Sequence, residues 1–224
     1  LKKKDMKKIA IYLVPGLAAG PEIFENLELP KDKYELHYLE WITPIALEET
    51  IANYAMRMSE EVKTENPVLI GVSFGGIIVQ EMSKYLNTKK VFIISSVKHH
   101  EELPKRFRFA KFTKAYKLFP TKIVSNFEDY AQYFLGKSLK KRAHIYKKYL
   151  SVRTKLYLNW SIGTIIKWEQ TEQNPNITHI HGTDDHVFPI KNINNCIKIE
   201  GGSHVMIITK AKKLSKIIDE ALTC

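Results

Sequence analysis

A chain of 224 residues, 44% hydrophobic and 26% charged, is sized for one domain with a full core. Its apolar fraction excludes a disordered chain, and no run approaches the roughly 18 consecutive apolar residues of a membrane helix. The formal net charge is +11, and two cysteines, Cys196 and Cys224, are too few and too ill placed for a disulfide framework.

No secretory pattern of basic, apolar and small-residue regions opens the chain. Residues 1–5 are a lysine-rich lead-in to Met6, a candidate natural start, and the chain reads as cytoplasmic. No Cys-x-x-Cys, His-Glu-x-x-His or carboxylate cluster has metal spacing, so neither metal nor cofactor is expected. His99-His100 and the group His179, His181 and His186 read as surface or loop histidines.

In chain order, residues 8–14 read as a strand, and a helix begins near Pro21. Residues 34–39 form the next strand, followed by a helix over 46–62. Residues 67–72 are a buried strand, with a helix to about residue 86 and a fourth strand at 91–95. Two more strands, 176–181 and 196–200, complete the sheet, and 210–222 is the closing helix. Strands alternating with helices predict an α/β fold, about six mostly parallel strands covered on both faces.

The third of these strands runs into Gly71-Val72-Ser73-Phe74-Gly75-Gly76, followed by the amphipathic run Ile77 to Met82. Strand, Gly-x-Ser-x-Gly and helix together describe a nucleophile elbow, with the serine hydroxyl exposed on a strained turn. Gly71 and Gly75 mark places where a Cβ would collide with backbone, and Gly76 lets helix and strand approach. The helix also aims its N-terminal dipole at the serine. Downstream, His179 to Pro189 reads as a short strand ending in an acidic loop with Asp184 and Asp185. Gly201-Gly202-Ser203-His204 is the loop after the last strand.

Ser73, then Asp, then His204 is the chain order of the α/β-hydrolase triad. Over residues of about 7–97 and 176–224 the sequence resembles that superfamily, in a minimal form with a helical cap and without extra N-terminal strands. The resemblance implies Ser73 as nucleophile, His204 as general base and Asp185 as the acid, with Asp184 as runner-up and Glu200 ranked below both. It implies an oxyanion hole from the backbone N–H groups of Phe74 and of Leu17, in the loop Leu13 to Gly20. Relatives often carry His-Gly there, where this chain has Pro15-Gly16. A serine hydroxyl needs a neighbouring imidazole to take its proton, and a carboxylate to fix that imidazole's tautomer.

The cap falls at 97–173, an insertion within the single domain 1–224. Residues 98–160 hold 16 Lys/Arg against 4 Asp/Glu, so the chain's basicity resides in the insertion. It is also aromatic: Phe107, Phe109, Phe112, Tyr116, Phe119, Phe127, Tyr130, Tyr133, Phe134, Tyr146, Tyr149, Tyr157 and Trp160. Spacings of three and four predict short helices with an apolar face turned to the core and the site. One reading is a lid with inward aromatics and solvated lysines. Another is recognition of an anionic partner: an acidic carrier protein, coenzyme A or an acidic lipid surface. Nucleic acid is the third, and no groove-reading or RNA-binding motif accompanies the charge.

The function expected is hydrolysis of a carboxylic ester or thioester through an acyl-enzyme. A C–C bond hydrolase would share the three groups. A non-catalytic binding protein would have no need of all three. Trp41 is expected to bridge sheet and helix, and Met206 to pack the final loop.

Overall fold

The computed structural model describes residues 8–113, 147–149, 151, 154–170 and 176–223. Six strands form one sheet: β1 (Ile9–Val14), β2 (Tyr34–Tyr38), β3 (Val68–Val72), β4 (Lys90–Ile94), β5 (Ile177–Gly182) and β6 (Ile197–Ile199). The order is β2-β1-β3-β4-β5-β6, and every pairing is parallel. Parallel strands put all their carboxyl ends on one edge. The loops carrying Pro15–Gly20, Ser73, Asp185 and His204 therefore leave the sheet on the same side. Because β1 lies between β2 and β3, the connections after β1 and β3 diverge, which opens a crevice at the carboxyl ends.

Strands β1 and β3 are apolar along their whole length because both faces are covered. Ile11 and Leu13 point to one side, while Tyr12 and Val14 point to the other. On the Tyr12 side lie α1 (Ile51–Ser59) and α2 (Phe74–Met82), and every residue of α2 is buried. On the Ile11 side, the final helix, here α6 (Ala211–Thr223), buries Ala211, Leu214, Ile218 and Leu222, the three-and-four spacing of one helical face. A single turn, α5 (Met206–Thr209), precedes it and buries Met206 and Ile207.

Several predicted boundaries move inward. The helix predicted at Pro21 is only a 3-10 turn, Pro21–Phe24. The helix predicted over 46–62 starts at Ile51, where the Thr50 hydroxyl accepts the Asn53 N–H at 3.2 Å. That N-cap ends the turn residues before it.

Between β4 and β5 two helices are described, α3 (Lys105–Thr113) and α4 (Lys155–Lys167). Residues 114–146, 150, 152–153 and 171–175 lie outside the described residues, and with them the aromatics Tyr116, Phe119, Phe127, Tyr130, Tyr133, Phe134 and Tyr146. Helix α4 meets the expectation of an inward apolar surface: Tyr157, Leu158, Trp160, Ile162, Ile165 and Ile166 are buried. Helix α3 departs from it. Phe107 and Ala110 pack on the core, but Phe109 and Phe112 are 67% and 87% exposed. On a nine-residue helix the latter pair lies on the opposite side from Phe107.

Candidate active site

Ser73 joins β3 to α2 with φ 53° and ψ −116°, a conformation that costs a non-glycine residue energy and survives only when surroundings enforce it. The surroundings do. A Cβ on Gly71 would strike the backbone of Gly75 and Gly76, and one on Gly75 would strike the carbonyls of Val14 and Pro15. The two glycines thus let strand, turn and helix close on one another. Ser73 N–H continues the ladder to Ile94 C=O at 2.9 Å. Its own carbonyl accepts from Gly76 N–H at 2.9 Å and from the Ser96 hydroxyl at 2.7 Å. Ser96 is fully buried, and Gly76 leaves the room it occupies. No sequence signal singled Ser96 out, since it belongs to no motif.

The three distant residues come together at this turn. His204 Nε2 lies 2.9 Å from Ser73 Oγ, and its Nδ1 lies 2.8 Å from Asp185 Oδ2. The other oxygen of Asp185 accepts the N–H groups of Val187 and Phe188 at 2.8 and 2.9 Å. Asp185 is buried, whereas Asp184 and Glu200 are exposed and face the Thr183 hydroxyl. The loops holding acid and imidazole are joined because Gly182 and Gly202 touch backbone to backbone, where a Cβ on Gly182 would collide. Thr183 N–H and Asp184 N–H extend the pairing to Ile199 and Gly202 at 3.0 and 2.9 Å.

Asp185 accepts only, so His204 carries its proton on Nδ1 and turns the Nε2 lone pair to the serine hydroxyl. Burial alone would push the Asp185 carboxyl up. The charge and hydrogen bond of His204, with His181 and the Phe188 N–H, outweigh it and hold the group below the usual carboxylate range. Beneath the acid sit two more histidines. His181 Nε2 lies 2.8 Å from Phe188 C=O and 3.5 Å from Asp185 Oδ2, so it donates to the carbonyl. Its Nδ1 is then a lone pair that accepts from His179 Nε2, 3.1 Å away. Burial pushes His181 down and His179 down to about 3, disfavouring the charged form of both. Expected at the surface or in a loop, His179 and His181 are instead buried in β5 beneath the acid loop, whereas His186 is exposed.

The loop after β1 wraps the other side of Ser73. A Cβ on Gly16 would stand 3.7 Å from that of Ser73. Leu17 is buried beside it, and Phe74 is the first residue of α2, where an N–H has no partner within the helix. Trp41 stacks on Phe74 at 5.3 Å and meets Tyr157 of α4 at 5.6 Å, so it bridges the sheet edge and two helices. Arg106 of α3 donates to Val187 C=O at 2.8 Å, tying α3 to the acid loop. Among the described residues no group of His, Cys, Asp or Glu could hold a metal ion, and no helix is long and apolar enough to cross a membrane.

No protein-family model and no curated protein matches this chain. Solved structures do match over nearly its whole length. A bromoperoxidase from Bacillus anthracis has a TM-score of 0.64 at 15% identity, covering 97% of this chain and 93% of that one. A lipase-esterase related protein from Clostridium acetobutylicum has a TM-score of 0.60 at 16% identity, covering 94% and 93%. A thioesterase from the prodiginine biosynthetic pathway of Streptomyces coelicolor has a TM-score of 0.61 at 12% identity, covering 93% and 84%. At such identities the likeness is one of fold. With its six-stranded parallel sheet and its strand-serine-helix turn, the chain has the α/β-hydrolase fold.

Proposed function

We propose that this protein is a serine hydrolase that cleaves a carboxylic ester or thioester through an acyl-enzyme on Ser73. The observation that carries the reading is the unbroken row Ser73 Oγ, His204, Asp185, with separations of 2.9 and 2.8 Å, on a strained turn at a helix N-terminus. In this reading His204 Nε2 takes the hydroxyl proton as Oγ attacks the substrate carbonyl. Asp185 holds the imidazole in place and stabilises the imidazolium. The oxyanion faces the N–H groups of Phe74 and Leu17, each worth about 3–4 kcal/mol of barrier. His204 returns the proton to the departing alcohol or thiol, and water then attacks the acyl-enzyme with His204 again as base.

The insertion 97–173 acts as a cap that shields the acyl group, and its buried helix α4 sets Tyr157 against Trp41 and Trp160 against Phe74. Its 16 basic against 4 acidic residues over 98–160 favour a leaving group borne on an anionic carrier protein or coenzyme A. Turnover of a coenzyme A thioester should then fall steeply with added salt while that of a neutral ester does not. Equal salt dependence would remove the anionic leaving group from the reading.

Intact-mass measurement after a fluorophosphonate probe tests the chemistry. One adduct on the wild type, absent from Ser73→Ala, is the expected result. Absence of an adduct on folded wild type would reject the hydrolase in favour of a binding protein.

A further inference from the structure

The second oxyanion donor in the reading above is the N–H of the Gly16–Leu17 peptide. A trans peptide is planar, with its C=O and N–H pointing in opposite directions, so whatever anchors the carbonyl also aims the N–H. The Gly16 carbonyl is anchored twice. Trp41 Nε1–H donates to it at 3.0 Å, and Ala19 N–H closes a turn on it, also at 3.0 Å. The second bond belongs to the loop itself, but the first comes from outside, after β2. The loop needs such support: Ala18, next to Leu17, is held at φ 59°, a left-handed conformation disfavoured for a residue with a Cβ. Trp41 is buried, and its ring stacks on Phe74, whose N–H is the other donor, at 5.3 Å and 18° between planes. One indole therefore bonds the peptide of one donor and stacks on the side chain of the residue that carries the other.

We propose that Trp41 is a positioning residue that aims the Leu17 N–H at the oxyanion and sets its distance from the Phe74 N–H. A donor on the Gly16 carbonyl also polarises that peptide, which strengthens its N–H as a donor. The Tyr157 hydroxyl, 3.4 Å from the Ala18 N–H, supports the same loop from α4. This proposal rests on the serine-hydrolase reading. It adds that the indole N–H is felt in the transition state and not in substrate binding.

The test compares the wild type with Trp41→Phe, which keeps an aromatic ring on Phe74 and removes the N–H. A second variant carries β-(3-benzothienyl)alanine at position 41, an isostere of tryptophan with sulfur in place of the N–H. Each is assayed for kcat, KM and inhibition by an alkyl boronic acid. Ser73 Oγ adds to the trigonal boron while His204 takes the hydroxyl proton, and no group leaves, so the tetrahedral adduct mimics the oxyanion. Loss of alignment of one donor should lower kcat about tenfold to a hundredfold and weaken the boronic acid in parallel, with KM within about twofold. Unchanged kcat and inhibition in the benzothienyl variant would overturn the proposal. So would a loss that appears in KM alone, which marks a packing role. Wild type that takes no fluorophosphonate would bring down the hydrolase reading and this proposal together. Labelled, active wild type with indifferent variants would bring down only the role of Trp41.

Discussion

Asp184 and Asp185 are neighbours in the chain, yet burial gives them different chemistry. Asp185 is 2% exposed and accepts from two backbone N–H groups and His204, while Asp184 faces solvent and Thr183. Asp185→Asn should lower kcat about 10⁴-fold on an activated ester, because an amide in that place can donate to His204 and favour the wrong tautomer. Asp184→Asn should leave kcat within about twofold, and the reverse ranking would reassign the acid. Chain order was enough to nominate Ser73, His204 and the acidic loop. The resemblance ranked Asp185 ahead of Asp184, but the direction of each side chain at the end of β5, one buried and one exposed, is something no spacing rule supplies. Ser96 was invisible for a related reason. Its contact with the Ser73 carbonyl spans 23 residues and leaves no local pattern.

At the scale of elements, the elbow depends on close backbone approach and the helices on their caps. Gly71→Ala would drive a Cβ into the Gly75 and Gly76 backbone, which cannot rotate away as a side chain can. We expect it to cost about 3 kcal/mol, the upper end of overpacking, in urea unfolding, with fluorophosphonate labelling lost as the turn shifts. Thr50→Ala removes the cap of α1 and should cost about 1 kcal/mol with labelling retained. Strand positions were legible because a parallel sheet covered on both faces demands continuous apolar runs such as Val68–Val72. Helix ends were less so. Residues 46–50 and 83–86 carry helix-compatible residues, but tertiary contacts place them in turns. Helix α3 was misjudged in its outer face for the same cause. Spacing shows which residues share a side, and not which side meets the core.

At the scale of the whole molecule, the buried pair His179 and His181 makes stability depend on pH. His179 is pushed from 6.5 to about 3 by burial, so the native state refuses a proton that the unfolded chain accepts. This contribution to stability is therefore full above pH 6.5 and is lost as pH falls toward 3, by up to about 1.4 kcal/mol per pH unit for each such proton. Asp185 has the opposite chemistry but the same sign: its depressed pKa stabilises the fold above its ordinary value of 3.8 and fails below it. Urea midpoints should fall between pH 6.5 and 4.5, and His179→Gln, which keeps a donor toward His181, should flatten that slope. An unchanged slope would mean that His179 is protonated in the native state.

Sequence by itself determined the α/β alternation, the apolar strands, the elbow and the order of its candidate partners, because each is written in local spacing or in residue type. Tertiary structure decided the rest: the strand order that opens the crevice beside β1, the burial that separates Asp185 from Asp184, and the indole hydrogen bond from Trp41 to Gly16. Those contacts join residues far apart in the chain, and their energies depend on distance and on exclusion of water, which only the packed molecule fixes.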